Sequence, residues 1–299
     1  MRHREAPAAS PSRAFAWLLA LLLAASVASP VRGAPVAVVA AERVYGDLVE
    51  RIGGDEVAVV SVLASPDQDP HAFEASASTA ARIAQARLVV YNGAGYDAWI
   101  ARLLEGAPSS KRAVIDVARL AGHAAGDNPH VWYDVDAVEA LARALADRLS
   151  HLDPAHGAGY AERLSRFEAA LRPLRDRIAA LRARYAGTPI AATEPVFGYM
   201  SDALGLTTHN ARFQLAIMNG TEPSARDMAA FERDLRTRAV KALIVNRQTT
   251  TALTRRMRAL ATDSGVPVVE VTETQPPGLD YTQWMLSQLD DLERALAAR

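Results

Sequence analysis

The sequence predicts an α/β fold of two lobes, each with a central, mostly parallel sheet flanked by helices, joined by one long helix. Two observations carry this. Short apolar runs bounded by Gly, Pro, Asp or Asn alternate with helical patterns on either side of the chain's middle, and such alternation builds a parallel sheet covered on both faces. Between the two stretches, a single apolar stripe runs without interruption along a charged segment.

In the first stretch, strands are predicted at 36–39, 57–63, 88–91 and 113–115, each a β-branched or apolar run ended by turn residues. Helices are predicted near 42–52, 76–86, 97–104 and 136–152, the last with Asp134 or Asp136 as N-cap. The stripe follows Asp153-Pro154. Tyr160, Leu164, Phe167, Leu171, Leu174, Ile178, Leu181 and Tyr185 recur at alternating spacings of 4 and 3, with Arg, Glu and Asp on the opposite face. At 1.5 Å per residue this helix is roughly 40 Å long, and Pro173 is expected to kink it. After Gly187, strands are predicted at 190–193, 242–245 and 266–271, with helices near 196–204, 224–238, 252–264 and 281–298. The expected organisation is a signal peptide at 1–33, a first lobe at 34–153, the connecting helix at 154–187 and a second lobe at 188–299.

Composition narrows the function. The 299 residues are 50% hydrophobic and 22% charged, enough apolar matter for a sizeable core and too much for a disordered chain. There is no Cys, which excludes a disulfide framework, Cys-ligated zinc, a thiol nucleophile and a lipid-bearing cysteine. Net charge is −1, but the first 33 residues hold Arg2, Arg4, Arg13 and Arg32 against Glu5, leaving the remainder at −4. An acidic body argues against nucleic-acid binding. Those arginines, an apolar run of about a dozen residues from Ala14 to Ala25, and small residues after it describe a secretory signal. The run is shorter than the roughly 20 residues of a membrane-spanning helix. The mature protein is expected to be exported and soluble.

Four residues stand where chemistry is expected. His71, in Asp67-Gln-Asp-Pro-His-Ala-Phe-Glu74, follows the 57–63 strand, and His130, in Asp127-Asn-Pro-His-Val-Trp-Tyr-Asp134, follows the fourth strand of the first lobe. Glu194 directly follows the 190–193 strand and Glu273 follows the 266–271 strand. Open parallel sheets bind ligands outside the carboxyl ends of their strands. Singly, each residue has an ordinary explanation as a capping or surface group, and a Glu at a helix N-terminus is favoured by the dipole alone. Together, two neutral imidazoles and two carboxylates neutralise a divalent cation, and the mixed N/O set suits Mn²⁺, Fe²⁺ or Zn²⁺ over Ca²⁺ or Mg²⁺. His123 is a weaker accessory candidate, His151 and His156 read as exposed, and His209 as a spare.

Two other readings compete. Gly93-Ala-Gly95-Tyr-Asp-Ala98 follows a strand, and Asp116 ends the next one, a partial dinucleotide-binding pattern; two strands precede it where that fingerprint opens the fold. An exported metal-dependent hydrolase using the same His/Glu cluster, with Glu194 or Glu273 as base, is the alternative function. It needs an open coordination position, whereas four protein ligands close the site.

Taken together, the four segments resemble the metal-binding solute-binding proteins of ABC transporters, the zinc/manganese type (cluster 9, or A-I). The resemblance lies in Asp69-Pro70-His71 with Glu74 three residues on, in Asn128-Pro129-His130-Val131-Trp132-Tyr133-Asp134, and in Glu194 before Phe197, Tyr199, Gly205 and Leu206. Glu273 occupies the place of the family's fourth ligand, an Asp, with Asp280 and Glu270 as competitors for that role. The resemblance spans the mature chain, including the long connecting helix. It lacks the His-rich acidic loop of some zinc-selective members, and its Glu at the third position is similar to manganese-type members. It implies a non-catalytic, exported receptor; the lack of Cys makes the expectation a free periplasmic protein without a lipid anchor, and a monomer is expected. That receptor would bind Zn²⁺, Mn²⁺ or Fe²⁺ through His71, His130, Glu194 and Glu273. Its expected partners are an inner-membrane ABC permease and the permease's ATPase subunit.

Overall fold

The middle strands of both sheets are apolar up to their last residues, as strands buried on two faces must be, with Glu42 and Asn246 ending two of them. In the first lobe these are β1 (Val36–Glu42) and β3 (Leu88–Tyr91), flanked by β2 (Val57–Leu63) and β4 (Ala113–Asp116) in the order β2-β1-β3-β4. In the second they are β5 (Pro189–Ala192) and β7 (Leu243–Asn246), flanked by the two-residue β6 (Thr207–Thr208) and by β8 (Val268–Val271) in the order β6-β5-β7-β8. All pairings are parallel. The computed structural model describes residues 33–65 and 73–298, with His3. Apart from His3 and Gly33, the expected signal segment lies outside the described residues, as does His71. Pro35–Arg299 forms one compact unit.

The helices of the first lobe are α1 (Arg43–Gly53), α2 (Ala77–Gln85), α3 (Ala98–Gly106), the single turn α4 (Val117–Leu120) and α5 (Val135–Leu152). Side-chain caps set the starts of α2, α4 and α5: Ser76 Oγ accepts from Thr79 N–H, Asp116 from Arg119 N–H, and Asp134 from the N–H groups of Asp136 and Ala137. Asp134, not Asp136, is thus the cap of α5. The second lobe holds α7 (Gly198–Ala203), α8 (Ala211–Met218), α9 (Ala225–Arg236), α10 (Ala252–Asp263) and α11 (Tyr281–Ala297). Capping boxes open α10 at Thr251 and α11 at Asp280. The helix predicted near 196–204 divides into a 3₁₀ turn, Pro195–Phe197, and α7. The last strand begins at Val268 rather than 266: Pro267 lacks an N–H for the ladder, and its carbonyl accepts from Leu243 N–H. Helix α8 has no counterpart in the sequence reading.

The connecting helix α6 (Gly157–Tyr185) is continuous through Pro173. Its stripe is buried at Tyr160, Phe167, Leu171, Leu174 and Leu181 and half-buried at Leu164, Ile178 and Tyr185. It packs against α1 and α5 on one side and α11 on the other. Arginines fasten it at both ends. Arg163 donates to Ile52 O and Gly53 O at 2.8 Å each, and Arg175 pairs with Asp136 and Glu139. Arg177 bridges Asp290 and Glu293, and Arg184 also reaches Glu293. One apolar cluster runs from Val38 and Leu48 in the first lobe, through Leu174, to Ile190, Ile244 and Leu289 in the second. No helix among the described residues is long and apolar enough to cross a membrane.

Candidate metal centre

The strand orders place one topological switch point in each sheet, between β1 and β3 and between β5 and β7, where ligand crevices form at the carboxyl ends. Glu194 stands two residues past β5, and Asn246 is the last residue of β7 beside it. Glu273 follows β8. His130 comes from the loop between α4 and α5 and opens the 3₁₀ turn Val131–Tyr133. His130, Glu194 and Glu273 are 1%, 4% and 3% exposed, and polar groups this deeply buried require partners.

The His130 ring is oriented by its neighbour. Asn128 Oδ1 lies 2.6 Å from His130 Nδ1 and also accepts from His130 N–H at 3.2 Å, while Asn128 Nδ2 donates to Pro195 O at 2.8 Å. With its oxygen toward the imidazole, Asn128 fixes the proton on Nδ1. Nε2 is then the nitrogen that would meet a metal, the arrangement in which a metal-binding His is held by a polar group behind it. Nε2 points at the second lobe, 3.8 Å from Glu273 Oε2. The same Asn128 ties the His130 loop to the residue after Glu194, and the Tyr199 hydroxyl donates to Asn128 O at 2.6 Å.

Two groups hold the carboxylates. Asn246 Nδ2 donates to Glu194 Oε2 and to Glu273 Oε1, at 2.5 Å each. The Tyr96 hydroxyl, from the first lobe, donates to Glu273 Oε2 at 2.7 Å. Burial and the adjacent Glu273 carboxylate push the Tyr96 hydroxyl well above its ordinary pKa, so it remains a donor. Gln248 Oε1 accepts from the N–H groups of Glu273 and Thr274 at 2.7 and 2.8 Å, fixing the backbone there. The Tyr133 hydroxyl donates across to Thr272 O at 2.7 Å, and Tyr281 donates back to Trp132 O at 3.0 Å.

The structure thus brings His130, Glu194 and Glu273 to one place and leaves their competitors elsewhere. Glu270 pairs with Arg258 on the surface, and Asp280 caps α11 by accepting from Gln283 N–H. His123 is half-buried against Tyr199 and Asp134, His156 bonds Asp153, His209 bonds Asp234, and His151 is exposed. Among the described residues, no three His, Asp or Glu side chains converge closely enough to hold a metal by themselves; the sequence-predicted fourth member, His71, lies outside them. Asn128, Asn246 and Tyr96 were not assigned roles by sequence reasoning. Asn128 sits inside the quoted His130 segment, and the signal for Asn246 was its position, a polar residue ending a buried strand next to Glu194.

The partial dinucleotide pattern has a structural explanation. Gly93 has φ +79°, and a Cβ there would lie 2.1 Å from Asp116 Oδ1. Asp116 itself accepts from Tyr91 OH and Arg119 N–H. Asp97 accepts from the N–H groups of Asn92 and Gly93 at 2.5 and 2.9 Å. The glycine and both acids build the turn.

Residues 38–295 match the family described as zinc-uptake complex component A, periplasmic. The chain belongs to that family. It is 25% identical over 288 residues to the manganese ABC transporter substrate-binding lipoprotein PsaA of Streptococcus pneumoniae, spanning 89% of this chain and 90% of that one. Its fold is similar to the periplasmic zinc-binding protein TroA of Treponema pallidum, with TM-score 0.74, 21% identity, and coverage of 89% of this chain and 100% of that one. It is similar too to FpvC of Pseudomonas aeruginosa, solved with Mn²⁺, with TM-score 0.71, 22% identity and coverage of 88% and 98%. Family membership makes the chain a solute-binding component of metal uptake, with metal as its transported ligand, rather than an enzyme. The hydrolase alternative finds no support in it.

Proposed function

We propose that this protein captures one divalent transition metal, Zn²⁺ or Mn²⁺, between its lobes through His71, His130, Glu194 and Glu273, and delivers it to an inner-membrane ABC permease and its ATPase subunit. The observation that carries the reading is the His130–Glu273 pair. An imidazole from the first lobe, its Nδ1 bound from behind by Asn128, presents Nε2 to a buried carboxylate of the second lobe 3.8 Å away. His130 supplies nitrogen, Glu194 and Glu273 supply two negative charges, and His71 supplies the second nitrogen. The set gives a neutral four-ligand N₂O₂ complex.

The finer parts of the proposal are a monomer without nucleic-acid partners, free in the periplasm after removal of a signal at 1–33, with lobes at 34–153 and 188–299 about the helix at 154–187. The absence of Cys from the 299 residues supports a protein without a cysteine-linked lipid, whereas the streptococcal relative is named a lipoprotein. The test is competition between Zn²⁺ and Mn²⁺ on chelator-stripped protein, followed by metal analysis and melting temperature. One equivalent bound with a raised melting temperature is expected. No binding of either ion overturns the proposal.

A further inference from the structure

One amide nitrogen serving two ligand carboxylates is an unusual economy. Asn246 Nδ2 has two hydrogens and three acceptors in reach, Glu194 Oε2 and Glu273 Oε1 at 2.5 Å and Thr249 Oγ1 at 3.0 Å. The charged acceptors take the stronger bonds. The side chain cannot swing away. Asn246 is 2% exposed, its Oδ1 accepts from Gln248 N–H at 3.0 Å, and its own N–H donates to Thr193 Oγ1 at 3.2 Å. This amide therefore holds a fixed claim on one oxygen of each carboxylate.

We propose that Asn246 sets metal preference by restricting Glu194 and Glu273 to one coordinating oxygen each. The inference rests on the proposed metal site. With Glu194 Oε2 and Glu273 Oε1 engaged by the amide, the oxygens left to coordinate are Glu194 Oε1 and Glu273 Oε2; the latter accepts from the Tyr96 hydroxyl through one lone pair, keeps its second for the metal, and lies 3.8 Å from His130 Nε2. Two single-oxygen carboxylates and two imidazoles make four ligands. Zn²⁺ accepts four-coordinate tetrahedral sites readily, whereas Mn²⁺ is at home in six-coordinate, oxygen-rich ones. Two carboxylates free to bind through both oxygens would offer up to six donors from the same four residues. Asn246 is thus a specificity-determining positioning residue, acting through the ligands without touching the metal, as groups behind metal ligands do.

The test compares the parent with Asn246→Ser and Asn246→Asp, each loaded separately with Zn²⁺ and Mn²⁺. Asn246→Asp keeps the side-chain shape and the acceptor for Gln248 N–H while removing the donor, and so covers the case in which Asn246→Ser fails to fold. X-ray absorption at the zinc edge counts ligand atoms, and equilibrium competition gives the Zn²⁺-over-Mn²⁺ ratio. Four ligand atoms are expected in the parent and five or more in both variants, with the ratio falling about tenfold. Thr249→Val, which removes only the third acceptor, is expected to match the parent. Unchanged ligand number and ratio in the variants overturn the role of Asn246 while leaving the metal site standing. A parent that binds neither metal overturns the site itself, and this inference with it.

Discussion

The two lobes share one topology and use it differently. Each sheet is four parallel strands with the switch point between its two middle strands, and each switch point is lined by acids and an Asn. In the first lobe these are Glu42, Asp97 and Asn92; in the second, Glu194, Glu273 and Asn246. Of the first-lobe acids, one is committed to its own fold and the other lies buried beside it. Asp97 is taken up by two backbone N–H groups. Glu42 is 6% exposed and faces Asp97. Burial, then the charge of Asp97, hold the Glu42 carboxyl well above the usual range, and burial raises Asp97 to about 6. Asn92 bonds the Tyr45 hydroxyl and donates to Pro129 O at 2.7 Å, anchoring the loop that carries His130. The second-lobe acids are instead held by side-chain donors, and Glu273 is turned toward Tyr96 and His130 of the other lobe. The shared topology puts acids at both switch points, and their partners differ: backbone N–H groups take up Asp97, whereas side-chain donors hold Glu194 and Glu273.

The sharpest way to break this contrast is to remove ligands. His130→Ala or Glu273→Gln is expected to lower metal affinity by about 100-fold or more, since each removes or neutralises one of the four proposed donors of a buried site, as read by competition with a chelating dye. Glu42→Gln is expected to retain metal affinity within a few-fold. A loss as large as that of Glu273→Gln would show both crevices to be ligand sites. Asn128→Ala leaves all four proposed ligands but frees the His130 ring, and a loss of about 10- to 100-fold is expected.

The protonation of Glu42 sharpens the comparison through pH. A carboxyl whose folded pKa is raised binds more protons in the native than in the unfolded state. Stability is then highest below the unfolded value of about 4.3 and is lost as pH rises toward the folded value. Glu42→Gln, whose amide replaces the proton toward Asp97, is therefore expected to gain on the parent as pH rises from 5 to 8, by about 1–3 kcal/mol in urea melts. A constant difference across that range would break the assignment. The smallest effect is expected at the surface. Arg184→Ala removes an exposed ion pair with Glu293, and a change of less than about 0.5 kcal/mol in the same melts is expected.

Much of the fold was legible because apolar periodicity survives burial. The runs at 57–63 and 88–91 are strands with those bounds, and the stripe from Tyr160 to Tyr185 lies along α6. Glu194 and Glu273 were legible as acids just past such runs. The rest depended on pairings distant in sequence. Asn246 meets Glu194 because β5 and β7 lie side by side, and Tyr96 meets Glu273 across 177 residues; local pattern encodes neither. Helix α8 escaped notice because few of its residues are buried, Phe213 and Gln214 among them, too few for a periodic stripe. The Gly93 segment misled for the opposite reason: its tight turn needs the same residues as a phosphate-binding loop.

The apolar cluster that passes from one lobe to the other through α6 has a thermodynamic consequence. Each lobe has a smaller cluster of its own, but the largest is shared, so opening one lobe exposes core of both, and heating should take the molecule apart in a single cooperative transition. A ligand gripping both lobes then stabilises the whole chain at once, by RT ln(1 + [L]/Kd). In a calorimeter, metal should displace one peak intact instead of splitting it in two.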